Sequence, residues 1–452
     1  MAAGLAEITD DALRITDLLC RQPSVSAEER ALGETADLVE ELLVGAGFTT
    51  RQLRAAKGPP AVYGELRGSG PHTLLLYNHY DVQPVDPLEL WETAPFEPDV
   101  RDGKLFARGV ADNKGELAVR LATIRALRER DARRRELPIG LRWIVEGEEE
   151  VGSPHFAEIV EANEDLLAAD ACLWEGSPSR LTDGRPSVSL GYKGALGIRL
   201  DVRALATDAH SAAAAVAPSA AWRLTRALAS LRDAEDGIAI AGFHDDVLAP
   251  SQAELQAIQE ASDSDEEEMR SMLGIDSFLG GVSGAALRER ASFTPTCNIA
   301  GLKSGYSGPG IKTVLPATAS AWMDMRLVPD QTPQGVLDLL RAHLERHGYD
   351  DVEITVRVMA DPARTPVDHP FVQRVIRVAE AVSGQAASVN PLVAGTLPIV
   401  APLQRIGVPG VSAPDNPFYW GSRIHAPNEH VKLDDVHESV RFMIALVEDY
   451  AA

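Results

Sequence analysis

The sequence predicts an α/β protein, a mostly parallel sheet flanked by helices, with a smaller α+β domain inserted into it. Two observations carry this prediction. Apolar strand-like runs alternate with helical stretches through the first part of the chain, which is the pattern of a mostly parallel sheet. Near residues 191–194 that pattern gives way to an alternating, half-buried strand, and α/β character returns after 360–366. The resulting organisation is 1–194 and 360–452 for the two parts of the main domain, and 195–359 for the insert, with a helical insertion near 245–290.

Each element has a local reason. Ser26 and Glu29 make a capping-box pattern before an apolar stripe at Leu32, Leu38, Leu42 and Leu43 that stops at the glycines 45 and 47. Strand-like runs follow at 61–66 and 73–77, a helix at 116–127, a strand at 141–145, a helix near 154–162 and a strand at 170–174. Residues 128–136, dense in both signs of charge, read as an exposed helix end and loop. In the insert, 196–202 alternates as an antiparallel strand and 220–231 reads as a helix. Ser251/Glu254 and Ser264/Glu267 are two further capping-box patterns within an acidic surface insertion. Strands at 313–315 and 320–327 and helices at 336–347, 371–382 and 436–450 complete the reading.

Composition excludes several functions. The 452 residues carry 43 Lys plus Arg against 67 Asp plus Glu, a formal charge of −24. That sign opposes both a nucleic-acid surface and docking on anionic lipid. No run approaches the ~18 apolar residues that span a bilayer. Residues 1–11 lack the basic and apolar regions of a secretory signal. Cys20, Cys172 and Cys297 are scattered and odd in number, so the expectation is a cytoplasmic protein with reduced thiols and no cysteine-based metal site. No complete GxGxxG, P-loop or GxSxG pattern occurs, which leaves nucleotide binding and serine-hydrolase chemistry without support.

Imidazoles and carboxylates, in contrast, gather at strand ends. The apolar run 74–77 leads into Asn78-His79-Tyr80-Asp81, at the carboxyl edge where parallel sheets bind ligands. Two residues apart in extended chain, His79 and Asp81 share a side, so the imidazole suits a cation and the carboxylate suits its orientation. Asp112, in Arg108-Gly109-Val110-Ala111-Asp112-Asn113-Lys114-Gly115, lies in a turn before a helix, where it also fits an N-cap. Glu146-Gly147-Glu148-Glu149-Glu150-Val151-Gly152-Ser153 follows a buried-looking strand, and carboxylates this close hold protons unless cations neutralise them. Glu175 ends another strand, and His425 lies in Gly421-Ser422-Arg423-Ile424-His425-Ala426-Pro427-Asn428-Glu429. Singly, each also fits a structural role. Together they form the ligand set of a hydrolytic site with two cations roughly 3.5–4 Å apart.

On these motifs the chain resembles the co-catalytic zinc exopeptidases: carnosine and other dipeptidases, aminoacylases, succinyl-diaminopimelate desuccinylase and the glutamate-releasing carboxypeptidase. The resemblance covers essentially the whole chain. It implies His79 as a ligand of one metal with Asp81 as its orienting partner, and Asp112 as the carboxylate shared by both metals. It further implies Glu149 as general base, Glu150 and Glu175 as metal ligands, His425 as ligand of the second metal, and a cis peptide at Asp112–Asn113. Under this resemblance the insert becomes a lid and dimerisation domain. Its Asp208-Ala209-His210-Ser211 resembles the element whose histidine stabilises the oxyanion, commonly in the partner subunit's site. Arg326 is similar to the lid arginine that binds a substrate carboxylate, and Gly395-Thr396 to the segment contacting the same end. Two departures stand out: the segment 394–398 lacks the usual double glycine, and many dipeptidases carry Asp where this chain has Glu175.

The implied activity is cleavage of dipeptides, or of the C-terminal residue of short peptides, by metal-activated water. Two divalent ions are expected, zinc first, with manganese or cobalt compatible with the same ligands. Hydrolysis of N-acyl amino acids is the alternative, with identical metal chemistry. A catalytically silent binding protein on this fold predicts erosion of Glu149 or of a ligand, and none is eroded. A small peptide or N-acyl amino acid is the expected partner, with a homodimer formed through the lid.

Overall fold

The computed structural model describes residues 4–130, 136–235 and 237–450. Two sheets organise it. The larger has eight strands in the order Thr49–Leu53, Ala61–Leu66, Gly140–Glu146, Thr73–His79, Ala171–Trp174, Gly410–Ser412, Ser187–Ser189, Ser388–Asn390. Its centre, from Gly140–Glu146 to Gly410–Ser412, is parallel, and antiparallel pairs flank it. Alternation within Thr73–His79 serves two cores, as expected of a strand covered on both faces. Leu74 and Leu76 pack under the helices Leu5–Cys20, Lys114–Arg130 and Leu433–Asp449, while Leu75 and Tyr77 pack on the other face against Phe156 and Leu403. Register sets the site. His79 is level with Glu146, and Leu76 with Leu173, so three strands end side by side at one edge.

The chain leaves this sheet at Gly191–Tyr192 and returns at Ala363–Arg364, two segments paired antiparallel. Between them lies a four-stranded antiparallel sheet in the order Asn298–Ser304, Thr318–Leu327, Gly194–Arg203, Glu353–Ala360. The helices Ala220–Ala229 and Pro333–Arg346 cover one of its faces and bury Leu196, Ile198, Leu200, Met323 and Met325. Helices Gln252–Glu260, Glu266–Leu273 and Gly284–Phe293 form the expected helical insertion. Its Ile258 and Phe293 pack with Val328 and with Leu392, which follows the edge strand of the large sheet. No described helix is long and apolar enough to cross a membrane.

Several expectations need correction. The helix Leu5–Cys20, with Ile8, Ala12, Ile15 and Leu19 buried, lies outside the elements read from the sequence. The pattern Ser26/Glu29 caps no helix: Ser26 opens a short 3-10 turn, and left-handed φ values of 51° at Glu29 and 52° at Ala31 delay the helix until Leu32. Ser251 and Glu254 do form a capping box. Ser264 does not, because its hydroxyl donates to the Asp265 carboxylate at 3.0 Å and the next helix starts after Asp265. The charged stretch 128–136 begins on the helix Lys114–Arg130 as read, but 131–135 lie outside the described residues.

Candidate metal centre

The aligned strand ends bring the predicted ligands together. His79 ends its strand fully buried, and its Nδ1 faces Asp81, 3.0 Å from the carbonyl and 3.3 Å from Oδ1. A proton on Nδ1 is satisfied there, which leaves the Nε2 lone pair for a ligand. Nε2 points at Asp112 Oδ1, 3.0 Å away, and Glu175 Oε2, 3.1 Å away. The other Asp112 oxygen, Oδ2, is 3.1 Å from His425 Nε2, which also lies 3.0 Å from Glu150 Oε2. Asp112 therefore turns one oxygen to each imidazole. Donor atoms of His79, Glu149 and Glu175 lie within 4.8 Å of one another, as do those of Asp112, Glu150 and His425.

Local structure explains the placement. Gly109 takes φ 85° in the turn before Asp112, and the Asp112–Asn113 peptide is cis as the resemblance implies. A Cβ at Gly147 would lie 2.3 Å from the Tyr80 ring, so only glycine lets the chain turn there toward Glu149 and Glu150. Asp81 holds that turn as well as His79: its Oδ1 accepts the N–H of Glu149 at 3.2 Å and its Oδ2 that of Glu150 at 3.0 Å.

Burial disfavours charge throughout the cluster, and the neighbours decide each proton. Burial and Glu175 push Glu149 well above the usual carboxyl range, while burial and Asp112 raise Glu150. Burial raises Glu175 against the pull of His79. Against burial, Glu175, Asp112 and Asp81 lift His79 well above its ordinary value, and Asp112 and Glu150 lift His425 to about 10. Asp112, despite burial, is held well below the carboxylate range by His425 and His79. Three acids that resist ionisation mark a site short of positive charge. Glu175 Oε2 is in addition buried without a well-aligned hydrogen bond, His79 Nε2 approaching it at 3.1 Å. Imidazole nitrogens and carboxylate oxygens fit divalent zinc, manganese or cobalt, which would replace the imidazole protons.

The remaining predicted residues divide. Arg326, on the smaller sheet, donates from Nη1 to Thr396 Oγ1 at 2.8 Å and from Nε to Asp324 at 3.1 Å. Gly395 is exposed beside Thr396. His210 is not brought to the cluster. It is exposed, and its Nδ1 accepts the Ala212 N–H at 3.1 Å, with no described polar contact to the ligand residues.

The model of Peptidase family M20/M25/M40 matches residues 75–449. The chain belongs to this family. A solved structure of an M20 family metallo-carboxypeptidase from Sulfolobus solfataricus is similar at TM-score 0.92 and 35% identity, covering 98% of this chain and 99% of that one. The Beta-Ala-His dipeptidase of Homo sapiens is 30% identical over 297 residues, 64% of this chain and 56% of its own length. This chain thus spans little more than half of that relative. The Cys-Gly metallodipeptidase of Schizosaccharomyces pombe is 28% identical over 341 residues, 72% of this chain and 70% of that protein.

In this M20 chain, Gln83 and Arg120 escape the sequence reading, and Glu146 enters it only as one of the crowded carboxylates at a strand end. Gln83 Nε2 donates to Glu150 Oε2 at 2.9 Å, steadying it beside His425. Glu146 Oε1 accepts from Tyr77 and Ser153 at 2.7 and 2.8 Å, and burial pushes its carboxyl up to about 8. Arg120 donates to the carbonyls of Tyr77, near the end of the strand that carries His79, and of Trp174, the residue before Glu175, at 2.6 and 2.8 Å, and pairs with Glu116 and Asp415. Of these, Glu146 carries the local signal of the carboxylate run, and Arg120 that of an i,i+4 pair with Glu116 which also fits an exposed helix.

Proposed function

We propose that this chain is a dinuclear metal-dependent hydrolase that cleaves dipeptides or removes the C-terminal residue of short peptides. The observation that carries the reading is Asp112, with one oxygen facing His79 and the other facing His425. His79, Asp112 and Glu175 would hold one cation, and Asp112, Glu150 and His425 the other. Zinc is the proposed metal. When bound, such a pair activates a water for attack and polarises the scissile carbonyl.

The chain's own residues do the rest. Asp81 keeps the proton on His79 Nδ1 and fixes the turn that presents Glu149. A Glu149 carboxylate oxygen takes the proton of the attacking water and delivers it to the leaving amine, so the bond breaks without expelling a charged amide. Arg326 and Thr396 grip the free carboxylate of the substrate, which restricts cleavage to chain ends. His210 donates to the developing oxyanion. Its exposure in the single chain supports delivery from a second copy, and the nearby lid residues Val216 and Ile311 are 89% and 94% exposed. The proposed assembly is therefore a lid-mediated homodimer of the 195–359 insert. Three buried free cysteines support a cytoplasmic setting.

The test is metal analysis of purified protein together with a panel of dipeptides, tripeptides and N-acetyl and N-succinyl amino acids. The expected result is two divalent ions per chain and peptide hydrolysis that a chelator abolishes and zinc restores. Hydrolysis confined to N-acyl amino acids would overturn the substrate assignment.

A further inference from the structure

Four residues after His425 the chain buries a carboxylate that the proposed function leaves unused. Glu429 is 1% exposed. Its Oε1 accepts the N–H of Ala111 at 2.8 Å and of Asp112 at 3.2 Å. Its Oε2 accepts the N–H of Gly109 at 3.0 Å and Arg108 Nη1 at 2.7 Å. The Glu429 carbonyl takes the N–H of Ala107 at 3.2 Å. One residue thus satisfies most of the turn that ends in Asp112.

That turn needs such an acceptor. Residues 107–113 belong to no helix or strand, and the left-handed Gly109 aims successive N–H groups inward. An ionised carboxylate is acceptor-only and has about four lone-pair sites, enough for three N–H groups and a guanidinium. The segment that supplies it is itself sharply bent, with positive φ at Arg423, His425 and Asn428. Asn428 pins it from the other side, accepting the Glu92 N–H and donating to the Leu90 carbonyl, both at 2.9 Å.

We propose that Glu429 is a positioning residue of the metal centre, fixing the Asp112 turn and locking it to the bent loop that carries His425. The proposal rests on the reading of Asp112 as the carboxylate shared by two cations. Glu429 touches no cation. It sets the distance between two residues that do. Glu429→Gln preserves the shape but turns one oxygen into an NH₂ donor facing donors, so the turn loses its anchor without losing volume.

The test uses the full chain, stripped with chelator and titrated with zinc alone against a chromophoric competitor, with the thermal midpoint recorded for each protein. Glu429→Gln is compared with Val431→Ala, which removes a buried side chain from the adjoining strand and leaves the carboxylate in place. The expected result is about 10–100-fold weaker zinc binding for Glu429→Gln, the usual cost of an outer partner of a ligand. Val431→Ala should bind as the wild type does, even where its midpoint falls as far. Equal zinc affinity in wild type and Glu429→Gln overturns the proposal, as does an equal loss in Val431→Ala. Failure of the wild type to bind two zinc ions overturns the dinuclear reading itself. Should Glu429→Gln not fold, Glu429→Asp and Arg108→Met replace it. The shortened acid is expected to weaken zinc binding more than Arg108→Met, which keeps the three N–H contacts, and the reverse order refutes the role.

Discussion

Glu149→Gln separates two roles that the geometry sets side by side. A Glu149 oxygen, His79 and a Glu175 oxygen lie within 4.8 Å of one another, so Glu149 stands where a further ligand of the first cation would stand. The proposed role is proton carrier. Glutamine keeps the volume and one acceptor oxygen but takes no proton. Loss of a general base costs typically 10²–10⁴-fold in rate, about 2.7–5.4 kcal/mol at 25 °C. The upper half of that range is expected here. Among the described cluster residues no other acid is free of a ligand role to take over the proton. Metal content should stay at two per chain, because in the proposed arrangement His79, Asp112 and Glu175 would still hold one cation and Asp112, Glu150 and His425 the other. The assay is kcat and KM on a dipeptide, with metal analysis of the same sample. Loss of one metal equivalent would make Glu149 a ligand, and turnover within tenfold of the wild type would remove it as the base.

Three further outcomes are expected. Arg326→Met removes a charge-assisted bond worth ~1.5–3 kcal/mol, so KM for free-acid dipeptides should rise about 10–150-fold with kcat little changed; equal KM values for a dipeptide and its C-terminal amide in the wild type would refute the carboxylate grip. Arg120→Met strands the buried Glu116 and Asp415 carboxylates and should cost about 3–5 kcal/mol in denaturant unfolding; a loss under about 1 kcal/mol would show that the pair is dispensable. Glu146 ionises at about 8 in the folded chain against 4.5 ordinarily. Between those values the folded chain keeps a proton that the unfolded chain has released, so stability falls as pH rises through this window. Glu146→Gln keeps an acceptor for Tyr77 and Ser153 without titrating, so its stability advantage should be full above pH 8 and vanish toward pH 4.5, followed by thermal melts; an advantage independent of pH contradicts the assignment.

The parts of the fold read well from sequence are those whose signal is local. The strand Ala61–Leu66 has the expected bounds, and the central strands are apolar on both faces because helices cover both. The ligand residues are legible for a related reason. A parallel strand buried to its last residue leaves polar side chains only at its carboxyl end, so His79 and Glu175 stand out against Leu74–Leu76 and Ala171–Trp174. Elements defined by a partner are not legible. Asn298–Ser304 is exposed almost throughout and shows no alternation; it is a strand because Thr318–Leu327 pairs with it along the sheet edge. The role of Glu429 is not legible because its partner Arg108 lies 321 residues away, and that of Arg120 because its local pair with Glu116 is shared with Asp415, 295 residues away.

The split between the two sheets bears on how such a site selects chain ends. Every proposed cation ligand comes from the larger sheet and its loops, where Arg120 and Asp81 tie the strand ends together. The proposed grip on the substrate carboxylate spans both units, with Arg326 on the lid strand and Thr396 on a loop of the main domain. Two residues beyond Arg326, Val328 is fully buried with Ile258 and Phe293 of the insertion and Leu392 of the main domain. Packing at its own strand's end thus ties the strand of Arg326 to the main domain. Under the proposed reading a substrate would have to bring a carboxylate to Arg326 and Thr396 at the same time as a peptide carbonyl to the cations. Only a bond next to a chain terminus would meet both conditions, so selection of ends over interiors would follow from two separate anchors and would need no pocket for any particular side chain.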